Sequence, residues 1–192
     1  MGARFEQVVT DEQIERLAEV ASEIWHEYWP AIIGEGQTDY MVNMMLTVPA
    51  LKRDMAEHNY RYWFVYDEED GRLVGFTGGA TQVLTGDAEH DAAFLLSPVV
   101  DEKWDRRFFL SKLYLYARER GKHYASRVIE FYEQLCRDED LDVIWLQVNR
   151  DNVLGVRAYE GRGFFVAEDR DSDIGHGYVM TDHIMVREVP KQ

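Results

Sequence analysis

The chain has 192 residues, of which 46% are hydrophobic and 13% aromatic, and this composition favours a folded domain with a sizeable core over a disordered segment. Its net charge of −15 at pH 7 makes nucleic acid an unfavourable partner, because the surface as a whole repels phosphates. The sequence has no run of about 20 apolar residues that predicts a membrane span and no apolar leader at its start. We therefore expect a cytoplasmic protein with no membrane partner. The single cysteine, Cys136, excludes an internal disulfide.

The first 55 residues predict one strand and two helical regions. Residues 5–9 have the composition of a short strand, and Asp11 is a candidate N-cap for the helix that follows. Pro30 predicts the end of that helix or a kink in it. A second helical region is expected over residues 40–55, with a break near Pro49.

The rest of the chain predicts further strands and two more helices. Residues 86–106 are charged and irregular and receive no assignment. The remaining predicted elements are strands at 60–66 and 73–83 joined by a turn at 68–71, a strand at 108–116, a helix from Ala125, a strand at 143–148, a short helix from about Asn152 that ends near Gly161 or Gly163, and strands at 164–167 and 183–188. This order predicts an α/β fold: a mixed central sheet of about six to seven strands flanked by about four helices.

The segment Arg120-Gly121-Lys122 is a candidate phosphate-binding turn. It lies between a predicted strand and the start of a predicted helix, where backbone N–H groups and the helix dipole favour an anion. Gly121 permits a tight turn, the two flanking side chains add local positive charge, and Ala125 is small enough for close packing. A charged loop that begins an ordinary amphipathic helix explains this segment equally well by itself.

Asn152 and Tyr159 form a second pattern. Their spacing of seven residues is two helical turns, so both side chains are expected on one helix face. The alternatives are that Asn152 is a helix cap and Tyr159 a core aromatic residue.

The segment Arg120-Gly121-Lys122-His123-Tyr124-Ala125 resembles the coenzyme A signature Arg/Gln-x-x-Gly-x-Gly/Ala of the GCN5-related N-acetyltransferase (GNAT) superfamily. Arg120 and Ala125 match its ends, whereas His123 stands where the family has its central glycine. Asn152 and Tyr159 resemble the second signature of the family. The resemblance implies a single N-acetyltransferase domain over residues 1–192, with its coenzyme-binding motifs at about 108–165.

The resemblance also implies the site residues. Main-chain groups of a strand that separates from its neighbour would pair with pantetheine, the turn and the helix start would bind the pyrophosphate, and Asn152 would contact the cofactor. Tyr159 would protonate the leaving thiolate after direct attack of an amine in a ternary complex. The implied coenzyme-binding residues are Leu113, Tyr114, Leu115, Arg120, Gly121, Lys122, His123, Tyr124, Ala125, Ser126 and Asn152.

The acceptor is expected at residues 25–41, where aromatic side chains alternate with amides and acids. From this stretch we predict that Trp29, Gln37 and Tyr40 bind substrate, although interhelical packing explains each of them as well. Residues 173–182 would cross the same cleft. Both stretches resemble a bacterial GNAT group that includes polyamine acetyltransferases, and together with the net charge this favours a small cationic amine. Acetylation of protein or peptide N-termini and a catalytically silent acyl-CoA sensor are the alternatives.

Three further points concern the base, metals and assembly. No general base is identified: Glu27, Asp39, Glu160 and Asp182 are candidates, and the family often uses a water chain. We predict no metal, because the six histidines lack ligand spacing and the repeat of aspartates at 169, 171 and 173 lacks the glycine and glutamate of a calcium loop. A homodimer is possible.

Overall fold

The computed structural model describes residues 2–92 and 98–190, and its strands form one mixed sheet. The strands are β1 (Ala3–Gln7), β2 (Tyr60–Asp67), β3 (Leu73–Val83), β4 (Arg106–Leu115), β5 (Val143–Asn149), β6 (Phe165–Gly175) and β7 (Tyr178–Glu188). Their order in the sheet is β1-β2-β3-β4-β5-β7-β6, so β1 and β6 are its edges. This arrangement confirms the predicted α/β class with a mixed sheet.

The helices correspond to the predicted helical regions and add short segments between them. They are α1 (Asp11–Tyr28), α2 (Pro30–Ile33), α3 (Glu35–Met45), α4 (Val48–Glu57), α5 (Ala88–Asp91), α6 (Pro98–Asp101), α7 (Tyr124–Asp138) and α8 (Val153–Glu160), with a 3-10 turn at Ala117–Glu119. Pro30 begins α2 directly after α1, and Pro49 lies in the first turn of α4, so both prolines divide helical regions as expected.

The pairing of β5 explains its apolar composition. It runs antiparallel to β7 from Val143 opposite Glu188 to Asn149 opposite Asp182. On its other side it is parallel to β4, where Arg107–Phe109 pair with residues 143–145. β4 continues to Leu115 and β5 to Asn149, so the two strands share a ladder at one end only.

The chain divides into two compact units. The first comprises the chain up to Gly79 and Lys112–Val128, and the second comprises Ala80–Ser111 and the chain from Ile129 onward. In the first unit α1 packs against α3 and α4, and α4 packs against β2. In the second unit Phe109 stacks on Trp145, with ring centroids 4.3 Å apart, and Phe108 packs on Tyr132 at 4.6 Å.

The structure changes some of the predicted boundaries. Thr10, and not Asp11, is the N-cap of α1: its hydroxyl accepts from the Gln13 backbone N–H at 3.2 Å, and the Gln13 side chain accepts from the Thr10 backbone N–H at 3.0 Å. This reciprocal pair is a capping box, and Asp11 instead places its charge in the first turn of the helix. In the unassigned segment 86–106, residues 88–91 and 98–101 are helical, and residues 93–97 lie outside the described part of the chain.

The last hairpin is longer than predicted. β6 and β7 are each eleven residues long and meet at a turn in which His176 and Gly177 both have positive φ. Two consecutive left-handed residues make the tight turn that matches strand twist in hairpins. The prediction stopped short because β6 alternates exposed charged residues instead of apolar ones, as edge strands commonly do.

Candidate active site

The turn before α7 has an alternating backbone. Gly121 has φ of 75° and His123 has φ of 66°, whereas Lys122 between them keeps a negative φ. Alternation between right- and left-handed residues turns successive N–H groups toward one side of the chain and forms a concavity that suits an anion. Tyr124 and Ala125 follow as the first residues of α7, where helical N–H groups have no acceptor within the helix.

His123 therefore occupies the glycine position of the signature with a positive φ. The chain adopts the left-handed conformation that glycine would favour, and the imidazole is exposed to solvent. A residue with a Cβ in this conformation costs roughly 1–2 kcal/mol, which histidine tolerates better than most residues. The departure from the family signature thus adds strain to the turn while the backbone keeps a conformation that glycine favours.

A half-open hollow lies at this turn. It has a volume of about 310 Å3 and is lined by Gly121, Lys122, His123 and Arg127. It lies at the N-terminus of a helix of 15 residues, the positive end of the helix dipole. Backbone donors, the dipole and two cationic side chains meet here in a chain that is otherwise acidic.

The predicted cationic residues of the turn are already paired. The Arg120 guanidinium stacks over the ring of Tyr28 at 4.3 Å, its Nε donates to the Leu115 carbonyl at 3.2 Å, and it lies 3.9 Å from Glu27. Lys122 Nζ lies 3.1 Å from a carboxylate oxygen of the buried Glu119. Both side chains are part of the internal structure of the turn, so the main anion donors are backbone groups.

A buried polar network anchors the turn to the β2–β3 hairpin. The hydroxyl of Tyr124 donates to Asp67 and accepts from Arg72 Nη2 at 3.2 Å. Arg72 also donates to both oxygens of Glu119, at 3.0 and 3.2 Å. The bond from Tyr124 holds the pKa of Asp67 down, to about 2, and burial together with Asp67 raises the pKa of Tyr124 to about 12. The side chain of Tyr124 is therefore an anchor, and only its backbone faces the turn.

The role of Asp67, Arg72 and Glu119 in anchoring the turn was not predicted from the sequence. Arg72 is 47 residues from Glu119 in the chain, and each of these residues is an ordinary charged residue at the end of a strand or turn. The only signal was the position of Asp67 and Arg72 on either side of a predicted hairpin turn, and that signal does not indicate a partner.

The predicted pantetheine strand, Leu113–Leu115, lies against β3. Gly75 is required there, because a Cβ at this position would collide with the backbone carbonyl of Tyr114. The Tyr116 backbone N–H donates to the Val74 carbonyl at 3.1 Å, which keeps the two strands paired to the end of β4. Close approach of β3 thus fixes one edge of β4 along the segment 113–115.

Of the three residues predicted to bind the acceptor, Trp29 belongs to an aromatic cluster, at the junction of α1 and α2. Trp29 is 7% exposed and packs against Trp25, Tyr28 and Tyr114, with ring centroids 5.3 to 6.4 Å apart. Trp29 therefore packs against the end of α1 and against β4. Gln37 and Tyr40 are half-buried on α3, and Gln37 Nε2 lies 4.0 Å from Met41 Sδ.

Asn152 and Tyr159 belong to the second unit, at the two ends of α8. Asn152 is the N-cap, and its Oδ1 accepts from the Gly155 backbone N–H at 3.0 Å. The cap role was the alternative for this residue, and it uses the amide oxygen. Tyr159, in the last turn, is half-buried and packs edge-on against Phe164 at 5.4 Å.

The four candidate bases differ in their surroundings. Glu27 accepts a bond from the Ala117 backbone N–H at 2.9 Å, and Asp39 lies 2.9 Å from His26 Nε2. Glu160 is exposed. Asp182 is buried, and this burial raises the pKa of its carboxyl to about 6.

The described residues contain neither a metal-binding cluster nor a membrane-spanning helix. Within residues 2–92 and 98–190, no three His, Cys, Asp or Glu side chains are arranged to hold a metal ion. None of the helices in these ranges combines the length and the apolar character needed to cross a bilayer.

Known structures share this fold. PaiA N-acetyltransferase from Thermoplasma acidophilum, solved with coenzyme A, aligns with a TM-score of 0.68 and 19% identity over 98% of this chain and 99% of that chain. NAA60 from Arabidopsis thaliana, solved with a bisubstrate analogue, gives 0.64 and 14% over 99% of both chains. Mutant forms of the spermidine/spermine N-acetyltransferase SpeG from Vibrio cholerae give 0.57 and 13% over 97% and 94%.

The family is identified from the sequence. No curated protein matches the chain significantly. The sequence profile described as "Acetyltransferase (GNAT) family" matches residues 19–164, which is most of the chain and includes the turn, β4 and α8. The chain therefore belongs to the GNAT family of acetyltransferases and is an acetyl-CoA-dependent N-acetyltransferase.

Proposed function

We propose that the chain transfers an acetyl group from acetyl-CoA to a primary amine of a small cationic molecule. The observation that carries the coenzyme half of this proposal is the turn before α7. Its alternating φ signs, the hollow beside it and the start of a 15-residue helix suit a pyrophosphate held by backbone N–H groups of residues 121–126.

The pantetheine arm is proposed to pair with the backbone of Leu113, Tyr114 and Leu115. The short ladder between β4 and β5 supports this, because β5 is in register with β4 only as far as Phe109. Backbone recognition also explains why these three residues carry no common side-chain chemistry.

Acetyl-CoA supplies the acyl group as a thioester, and we assign the protonation of its leaving sulfur to Tyr159. A tyrosine with an ordinary pKa near 10 is a modest acid for a thiol with a pKa near 8.5, and thiolate leaves readily without help. Asn152 uses its Oδ1 as a helix cap, and its Nδ2 is the group we assign to the coenzyme.

A cationic acceptor is supported by the charge of the chain. With −15 overall, the protein attracts amines and repels anions at long range. The alternatives, N-termini of proteins or peptides and a silent sensor, are outcomes of one experiment: release of coenzyme A thiol from acetyl-CoA in the presence of polyamines, amino acids, aminoglycosides or short peptides. Turnover with a polyamine supports the proposal. Turnover confined to peptides would mean that the acceptor is a peptide N-terminus and not a small cationic amine. Coenzyme binding without thiol release from any amine overturns the function.

Replacing Tyr159 tests its assignment. We expect Tyr159→Phe to lower kcat by roughly ten- to a thousand-fold, because a positioned acid contributes on this order while thiolate remains a fair leaving group. The affinity for coenzyme A, measured by calorimetry, should stay unchanged. Tyr66→Phe, which removes a half-buried hydroxyl on β2, is the matched control and should keep full activity. Full activity of Tyr159→Phe would show that the hydroxyl has no catalytic role.

A further inference from the structure

Asp182 is a buried carboxylate on β7 whose function within the fold is unexplained. It is 5% exposed and lies opposite Asn149 of β5 on one side and Arg170 of β6 on the other. Its side chain accepts no hydrogen bond from any residue in the described ranges 2–92 and 98–190. Its pKa is raised to about 6, mainly by burial.

Two neighbouring cations are already engaged with other carboxylates. Arg150 pairs with Asp171, and His183 Nδ1 lies 2.6 Å from Asp169. These four groups act on or adjoin Asp182 from β6, β7 and the end of β5, together with Arg170, which lies opposite it on β6 and makes no ion pair with it among the described residues. They leave Asp182 without a dedicated cation in a region where carboxylates outnumber guanidinium groups.

Burying a carboxylate without a partner is unfavourable, and such groups in proteins are normally paired or bonded. An unpaired one in an acidic surrounding is typical of a site completed by a bound cation. A metal is a poor fit, since no cluster of three ligand side chains exists among the described residues. An ammonium needs one carboxylate together with neutral acceptors, and Asn149, which lies opposite Asp182 on β5, places an amide oxygen on the same face of the sheet.

The position of Asp182 is next to the segment that begins α8. The Arg150 backbone N–H donates to the Thr181 carbonyl at 2.9 Å, and the Asn152 backbone N–H donates to the Asn149 carbonyl at 3.0 Å. Residues 149–152 therefore tie the N-cap of α8 to the strand that carries Asp182. We therefore expect a ligand held by Asp182 to lie close to the cap residue that we assign to the coenzyme.

We propose that Asp182 binds an ammonium group of the acceptor, an aliphatic amine with at least one further cationic centre. This rests on the proposed function for the nature of the acceptor. The carboxylate forms a charge-assisted bond to the ammonium nitrogen. The amide oxygen of Asn149, which already accepts from the Asp151 backbone N–H at 2.9 Å, accepts a second bond through its other lone pair.

The test is calorimetric binding of spermidine to the full chain, with Asp182→Asn as the variant. We expect the dissociation constant to rise at least roughly ten-fold in the variant, because the loss of one charged partner in a buried site has this size or more. Wild-type affinity should strengthen from pH 5 to pH 7.5 as the carboxylate ionises, and this pH dependence should disappear in the variant. Asp138→Asn, which removes an exposed carboxylate at the end of α7, should bind spermidine as the wild type does.

Folding of the variant is checked independently. Because the charged form is disfavoured in the fold, Asp182→Asn should raise Tm at pH 7.5 and leave coenzyme A affinity unchanged. Equal spermidine binding by wild type and Asp182→Asn, or an unchanged pH dependence, overturns the inference while the transferase function stands. Spermidine binding that depends on Asp182 without thiol release from any amine contradicts the function and leaves the binding site intact.

Discussion

At the scale of single residues, His123 is the unusual residue of the turn that we propose binds coenzyme A. It holds a left-handed backbone in a position where the family has glycine. We expect His123→Gly to keep coenzyme A affinity and stability, because the backbone path is the one that glycine adopts freely. His123→Val should lower the free energy of unfolding by about 1–2 kcal/mol and weaken coenzyme A binding roughly ten-fold, because a β-branched residue resists this conformation.

The control for strain alone is His176→Val. His176 has φ of 55° in the turn between β6 and β7, so valine there should destabilise the fold to a similar extent. Its coenzyme A affinity should remain that of the wild type. For the three variants, calorimetry measures coenzyme A affinity and urea unfolding measures stability. Equal coenzyme A binding by His123→Val and the wild type would show that this turn does not bind the coenzyme.

At the scale of elements, the hairpin between β2 and β3 positions the start of α7. Arg72 connects this hairpin to Glu119 and to the hydroxyl of Tyr124, on either side of the turn. Arg72→Met removes these bonds and leaves Glu119, which is 2% exposed, with Lys122 as its main partner. We expect KM for acetyl-CoA and Kd for coenzyme A to rise about ten-fold with kcat within two-fold of the wild type, because positioning of the turn is lost and the chemistry is untouched.

Arg118→Met is the matched control for this prediction. Arg118 lies 3.6 Å from the same carboxylate but is 65% exposed, so its loss should change neither KM nor Kd. Steady-state kinetics and calorimetry on both variants measure the split. A fall in kcat at unchanged KM in Arg72→Met would show that the network acts on the chemical step and not on the turn.

At the scale of the whole molecule, Lys112 makes the free energy of unfolding depend on pH in the alkaline range. It is buried on β4 near Asp54 of α4, and burial lowers the pKa of its ammonium group to about 8. In the unfolded chain this pKa is about 10.4. Between these values the unfolded state binds more protons, so the contribution of Lys112 to the free energy of unfolding rises with pH, by up to about 3 kcal/mol.

The measurement compares wild type with Lys112→Met by urea unfolding at several pH values. The stability of the wild type relative to the variant should increase from pH 8 to pH 10.5, and the subtraction removes the titration of the tyrosines. Lys103→Met, at a lysine that is 60% exposed, should show a flat difference. A flat difference for Lys112→Met as well would mean that the ammonium group is solvated in the folded protein.

How much of the site the sequence predicts differs from residue to residue. The turn at Arg120–Ala125 and the spacing of Asn152 and Tyr159 are local patterns, so they were visible in the chain. The cap of α1 was placed one residue late, because Thr10 and Asp11 are both good caps and only the bond to Gln13 distinguishes them. The anchor of the turn was not visible, because the contact between Arg72 and Glu119 exists only once the strands are paired.

The sequence by itself determined the α/β class, the family and the order of most elements, and it predicted where a coenzyme turn would lie. Each of these depends on spacing, periodicity or glycine positions within a few residues, where local sterics and hydrogen bonding decide the outcome. Only the tertiary structure decided that Asp182 is buried with no hydrogen-bonding partner among the described residues, that Trp29 packs within an aromatic cluster and that Tyr124 is an anchor. Burial and pairing exist only once the strands and helices have assembled, because they depend on groups that are distant in the chain.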